Sequence, residues 1–332
     1  MILSLLMPMY EIEDFMHTRG LIKPDEEILD MEIPGQGNMN SVLRVRTSQG
    51  SYILKQASDF VQKYPQIPAP IERINVEYQF YSLIAKHEAI QEKMPHCLDF
   101  DDFTHTMGIE DLGYGKDYTT IYQPDGGISL DEALQAVGYL SALHGIVFEP
   151  KIIEDFPNNL ALRKLNHEHL FTYPFMVDNG FDLDTIQAGL QAVAMDYKTN
   201  QNLKAALGVL GEHYLSSGKT LLHGDFYPGS WLHTYDGLKV IDPEFCFFGS
   251  PEYDLAILIA HLKMARTSPE IIEQVLQNYQ VKTDFNEGLM QQYVGMELMR
   301  RLIGLAQLPL SLSLEEKISL LKEAEGLILI CP

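Results

Sequence analysis

Two polar motifs in the second half of the chain carry residue types that could do chemistry together. The first is Leu222-His223-Gly224-Asp225, with Ser230 shortly after; the second is Val240-Ile241-Asp242-Pro243-Glu244-Phe245. An apolar stretch that delivers Asp and Glu side by side is unusual, because a buried carboxylate is costly unless it is paired or bound to a cation. Hard oxygen ligands of this kind suit Mg²⁺, which takes one or two carboxylates together with phosphate oxygens. A base beside a metal-binding carboxylate is what phosphoryl transfer to a hydroxyl requires. The expectation is therefore Asp225 as the base, Asp242 and Glu244 as magnesium ligands, and His223 as a brace for the loop. Taken singly, Asp-Pro-Glu reads as a turn and His-Gly-Asp as a loop; their order, their apolar flanks and the hairpin between them make the joint signal.

A partner for these motifs stands nearer the N-terminus. Gly35-Gln36-Gly37-Asn38-Met39-Asn40 precedes a strand and offers bare backbone to phosphates. Lys55 follows the apolar Tyr52-Ile53-Leu54; it either snorkels to water or reaches nucleotide phosphates while held by a Glu of the next helix, Glu77 first and Glu72 second.

The elements that must position these residues change character near residue 112. Before it, Val42–Thr47 and Tyr52–Gln56 flank Gln49-Gly50 as a hairpin, a helix runs from about Ile71 to Lys86, and strands lie near His96–Phe100 and Met107–Ile109. After it the pattern is helical. Ser129 with Glu132, and Ser313 with Glu316, are capping-box signals. One β insertion, Trp231–Thr234 and Leu238–Ile241, turns at Asp236-Gly237. The reading is α+β, with a small β-rich lobe over 1–111 and a larger, mostly helical lobe over 112–332.

Composition narrows the partners. The chain has 332 residues, 46% apolar and 21% charged, with 46 acidic residues against 24 basic ones and a net charge of −22. Such a surface repels nucleic acid and anionic membranes, so a nucleotide must be held by local Lys, metal and backbone N–H groups. No apolar run approaches the roughly 20 residues of a membrane span. Met1–Met9 is apolar but short and followed by acidic residues, so it reads as a first helix or strand packed on the body rather than a signal peptide. Cys97, Cys246 and Cys331 are scattered, which argues against disulfides and zinc and for a reducing cytoplasm.

These motifs together resemble the aminoglycoside phosphotransferase and choline kinase superfamily, and within it the methylthioribose kinases. The resemblance runs over about residues 30–310. It rests on Gly37-Asn38-Met39-Asn40-Ser41-Val42, Lys55-Gln56-Ala57, Glu110-Asp111-Leu112, Phe171-Thr172-Tyr173-Pro174-Phe175 and Arg300-Arg301-Leu302-Ile303-Gly304-Leu305-Ala306. It implies a bilobal, protein-kinase-like fold, ATP with Mg²⁺, a hinge at Glu110 to Leu112 whose backbone pairs with adenine, and substrate contacts from Arg300 or Arg301. It also implies a loop-orienting Asp at Asp254.

Departures are equally visible. Ser230 replaces the Asn of the wider kinase pattern, as it does in methylthioribose kinases, and is carried with Asp225 as part of the catalytic loop. Phe226-Tyr227-Pro228 replaces the usual Leu-His-Thr, and Pro228 stiffens that loop. His223-Gly224-Asp225 in place of His-Arg-Asp, with no Asp-Phe-Gly, speaks against a protein kinase. The acceptor implied is a small-molecule hydroxyl, 5-methylthioribose first, with choline, an aminoglycoside or homoserine as alternatives and a homodimer left open. The reading from another class is a catalytically silent nucleotide-binding protein. His144, on an apolar helix face, reads as a satisfied core histidine.

Overall fold

Residues 3–35, 39–281 and 284–329 are described by a computed structural model of the chain. By compactness the chain divides into two units, Met1–Lys116 with His233–Cys246, and Asp117–Leu232 with Phe247–Pro332. The change of character near residue 112 thus lies close to the first division, while residues 233–246 belong with the β-rich unit. That grouping comes from long-range packing of the helix Arg73–Ile84 on the turn Pro243–Phe245, which local patterns do not report.

In the first unit, helix α1 (Met9–Thr18) precedes strands β1 (Ile28–Glu32), β2 (Ser41–Thr47) and β3 (Ser51–Gln56); helix α2 (Arg73–Ile84) is followed by β4 (Cys97–Asp101) and β5 (Thr106–Glu110). The sheet order is β1-β2-β3-β5-β4, antiparallel throughout. Successive strand residues face opposite sides. Leu54 of β3 joins a core of Leu3, Ile12, Met16, Leu43 and Val45, and its neighbour Lys55 is turned to the other face, toward α2. The apolar N-terminal stretch does pack on the body: Leu3 is buried and its N–H donates to Gln56 Oε1 at 2.7 Å. Helix α1 and strand β1 were not legible in the sequence pattern. The reading of the hairpin, of α2 and of the two strands after it agrees with the structure to within two residues or so at the ends.

The second unit is mostly helical. Helix α3 (Leu130–His144) and the last described helix, α6 (Leu314–Ile328), each start with the capping box seen in the sequence. Between them α4 (Glu252–Met264) is buried on nearly every side, as a helix apolar all round must be, and α5 (Glu287–Ile303) packs on both α4 and α6. A short antiparallel pair, Thr220–Leu222 with Phe247–Gly249, delivers His223-Gly224-Asp225 from its end. Gly224 there has φ +84°, a conformation glycine takes without strain. The fold class is the α+β arrangement expected from the sequence: a β-rich first unit and a helical second one. Among the described residues no helix is long and apolar enough to cross a membrane.

Candidate active site

The first unit gathers five charged side chains. Lys55, 2% exposed, donates from Nζ to Glu77 Oε1 at 2.8 Å and to Asp242 Oδ1 at 2.7 Å. Glu77 is the helix partner; Glu72 lies exposed at the start of α2. One turn before Glu77 on the same helix, Arg73 lies 3.4 Å from Glu244 Oε2. Asn40 completes this corner: its Nδ2 donates to Glu244 at 2.9 Å and its Oδ1 accepts from Arg73 Nε at 3.0 Å. The Arg73 guanidinium also binds the carbonyls of Met39, Ser58 and Pro70. Helix α2 therefore clamps the Asp242-Pro243-Glu244 turn through a cation of its own and, through Glu77, a cation of β3. Arg73 was missed in the sequence, although its i,i+4 spacing to Glu77 on a buried helix face was a usable signal.

Asp242 and Glu244 differ in character. Asp242 has φ +62°, a left-handed conformation that Asp tolerates and that is enriched at functional positions. Its side chain is 45% exposed, and among the described residues only Oδ1 is engaged, by Lys55. Glu244 is buried, which raises its carboxyl above the usual range against the pull of Lys55 and Arg73. Burial likewise pushes Glu77 up, with Lys55 opposing. Burial opposes the charge on Lys55, but Asp242, Glu77 and Glu244 outweigh it and hold the ammonium above the ordinary lysine value. Three carboxyl groups here face two cations, and the most exposed of the five side chains is Asp242. Among the described residues no group of three or more His, Cys, Asp or Glu side chains is placed to hold a metal ion.

Of the other residues expected from the sequence to meet a nucleotide, Gly35 is exposed with open space around it, and Gly37 and Asn38 lie outside the described residues. Asn40 has its amide turned onto Glu244 and Arg73. At the end of β5, the Glu110 N–H is committed to His96 O at 2.9 Å, while Leu112 is half-buried. Between them Asp111 takes a two-pronged contact from Arg44 at 2.8 and 3.0 Å, and Arg44 also binds Gly113 O at 2.7 Å. This fixes the segment after β5 to β2.

The second unit holds the Asp225 loop. Asp254, fully buried at the start of α4, accepts from the backbone N–H groups of His223 (2.6 Å) and Gly224 (2.9 Å) and faces His144 Nε2 at 3.2 Å. His144 is satisfied on its other side by the Tyr279 hydroxyl at 2.7 Å. His223 is buried, its Nδ1 3.4 Å from the Asp225 N–H. Ser230 turns its hydroxyl onto the Asp225 carbonyl at 3.0 Å, so it braces the loop from within. Arg301 Nη2 stands 3.9 Å from Asp225 Oδ1. Both adjacent arginines are buried, and both pair with Glu297, fully buried one turn earlier on α5. Glu297, His261 and Tyr122, which bonds His261, were not singled out in the sequence. The i,i+3 and i,i+4 spacing of Glu297 to the arginines was the available signal. His261 lies in a helix whose uniform burial leaves no polar face to mark it.

Comparison with known proteins places the chain in a family and a fold. The sequence model described as the phosphotransferase enzyme family matches residues 30–293. Methylthioribose kinase of Bacillus mycoides (strain KBAB4) is 27% identical over 248 residues, covering 71% of this chain and 61% of the relative. That of Bacillus cereus (strain B4264) is 27% identical over 263 residues, covering 76% and 64%. The chain thus spans under two thirds of the length of these relatives. Among solved structures, spectinomycin phosphotransferase APH(9)-Ia, in complex with ADP and spectinomycin, superposes with TM-score 0.57 at 14% identity, covering 97% of each chain. Choline kinase LicA from Streptococcus pneumoniae does so with TM-score 0.53 at 13% identity, covering 96% of this chain and 99% of that one. These structures share the fold, and the match over residues 30–293 establishes that the chain belongs to the phosphotransferase enzyme family.

Proposed function

We propose that the chain is a small-molecule kinase that transfers the γ-phosphoryl group of ATP to a hydroxyl of a sugar-like metabolite, with 5-methylthioribose the first candidate. The observation that carries this reading is Lys55, buried in a β-strand yet held between Glu77 of α2 and the half-exposed Asp242. A lysine fixed in this way is kept charged and aimed, which is what contact with nucleotide phosphates requires.

The donor set fits magnesium. Asp242 is half-exposed, and Mg²⁺ completes its shell with phosphate oxygens and water rather than with a protein cage. Asp242 and Glu244 would hold it, and when bound it neutralises charge on the phosphoryl oxygens. Gly35, Gly37 and Asn38 would offer backbone to the phosphates, with Asn40 bracing Glu244. Leu112 would offer backbone to the adenine, the Glu110 N–H being already spent.

Asp225 accepts the proton of the acceptor hydroxyl as its oxygen bonds to phosphorus. The bond from phosphorus to the bridging oxygen breaks, and ADP leaves with the electron pair. Asp254, His223 and Ser230 keep the base in place.

The acceptor follows from two supports. The relatives at 27% identity are named methylthioribose kinases. In addition, Arg300 is a buried guanidinium whose Nε meets no partner among the described residues. A guanidinium binds vicinal oxygens and repels ammonium groups, which favours a neutral polyol over choline or an aminoglycoside. A coupled ADP-release assay with 5-methylthioribose, choline, an aminoglycoside and homoserine tests this. The expected result is a kcat/KM for 5-methylthioribose at least about 10-fold above that for choline. Faster turnover of choline removes the sugar, and no acceptor-dependent ADP release with any of them removes the kinase.

A further inference from the structure

Arg300 and Arg301 are neighbours in sequence but spend their donors differently. Arg301 Nε donates to Glu297 Oε1 at 2.7 Å, its Nη1 reaches the Ala306 carbonyl at 3.4 Å, and its guanidinium carbon lies 4.9 Å from the centre of the Tyr227 ring. Among the described residues Arg300 has the ion pair with Glu297 Oε2, at 3.2 Å, and its Nε meets no partner. Glu297 Oε1 also faces His261 Nε2 at 3.0 Å. A carboxylate accepts, so the ring hydrogen sits on Nε2, and Nδ1 then accepts from the Tyr122 hydroxyl at 2.6 Å. The His261 ring is also 5.5 Å from the Tyr227 ring. Burial pulls the imidazole down to about 4, so it stays neutral and leaves the charge of Glu297 to the arginines.

We propose that Glu297 and His261 are positioning residues for phosphoryl transfer, holding Arg301 against Tyr227 and beside Asp225 while Arg300 is left to bind the acceptor. The proposal rests on the reading of Asp225 as the base. Its physical sense lies in the 3.9 Å between Arg301 and Asp225. A guanidinium free to turn would close on a carboxylate as a two-pronged pair and occupy the lone pairs a base must use. With Nε tied to Glu297 and its face on Tyr227, Arg301 steadies the loop from a distance at which it does not cover the carboxylate. His261 acts one step further back, fixing the Glu297 oxygen that Arg301 uses.

The test uses the full chain with His261→Phe, His261→Gln, Arg301→Met, Arg300→Met and the double variant His261→Phe/Arg301→Met. Amide hydrogen exchange of residues 223–230 is measured beside kcat and KM, with 5-methylthioribose and with water as acceptors. His261→Phe and Arg301→Met each speed exchange in the loop and lower kcat by about 10-fold, with KM for ATP unchanged. The double variant is no worse than the poorer single one, because both changes cut the same connection. His261→Gln, which keeps a donor toward Glu297, recovers most of the loss. Arg300→Met raises KM for 5-methylthioribose and leaves loop exchange alone. Wild-type loop exchange in His261→Phe, or losses that multiply in the double variant, overturns the proposal. Should the phenylalanine variant fail to fold, Glu297→Gln takes its place in the same comparison with Arg301→Met. A wild type that turns over neither acceptor removes 5-methylthioribose as the substrate, and the exchange comparison alone then decides the positioning proposal.

Discussion

At the scale of single residues, Asp242 and Glu244 stand two positions apart and answer to different forces. The Asp242 side chain is nearly half exposed, and Lys55 retains Glu77 without it. Asp242→Asn should therefore change unfolding free energy by less than about 1 kcal/mol while abolishing the magnesium dependence of ATP binding in calorimetry. Glu244→Ala removes the carboxylate from a buried Arg73 and should cost about 3–5 kcal/mol in denaturant unfolding. Equal stability losses for the two would show that the burial contrast has no energetic consequence.

His261 gives a second residue-scale expectation. Burial, with both arginines adding and Glu297 opposing, lowers it from 6.5 to about 4. Between those values the unfolded chain binds a proton that the folded chain does not, so stability falls as pH drops from about 6.5 to about 4 and this contribution then levels off. A shift of this size is worth up to roughly 3 kcal/mol. His261→Gln should lack that component when unfolding free energy is followed across the same window; an unchanged pH slope would contradict it.

At the scale of elements, much of the site's framework was legible and some of it was not. The β2–β3 hairpin, α2 and both capping boxes follow from alternation, helical spacing and Ser-x-x-Glu signals, which are local. Helix α1 was passed over because its apolar Ile12, Phe15 and Met16 are interleaved with Glu11, Glu13 and Asp14 and only find meaning against Leu43 and Leu54 of the sheet. The π-helical turn Glu168–Thr172 was unreadable, since one widened turn leaves no periodic trace. Element packing also makes a prediction. A Cβ on Gly295 of α5 would lie 2.6 Å from the Ala324 carbonyl of α6, so this glycine sets how closely the helix carrying Glu297 and both arginines meets its neighbour. Gly295→Ala should lower stability by about 1–3 kcal/mol in thermal or denaturant unfolding, and a wild-type midpoint would show that α6 yields freely.

At the scale of the whole molecule, the family was legible because its motifs, from Gly37 to Arg301, are spread along the chain in one order. The assignment of residues 233–246 to the first unit was not, because it depends on α2 reaching a turn far away in sequence. With a net charge of −22, the overall field disfavours a polyphosphate, so the proposed function assigns ATP to Lys55, magnesium at Asp242 and backbone N–H groups. The proposed function turns on proton transfer to Asp225. Asp225→Asn tests it most directly, with steady-state turnover measured on the acceptor selected by the ADP-release panel and ATP binding measured by calorimetry. The expected result is a fall in kcat of at least about 100-fold, with ATP affinity changed by less than about threefold, because a base contributes at the transition state and little to nucleotide binding. Turnover within about threefold of wild type would contradict it, being far above what loss of such a base allows.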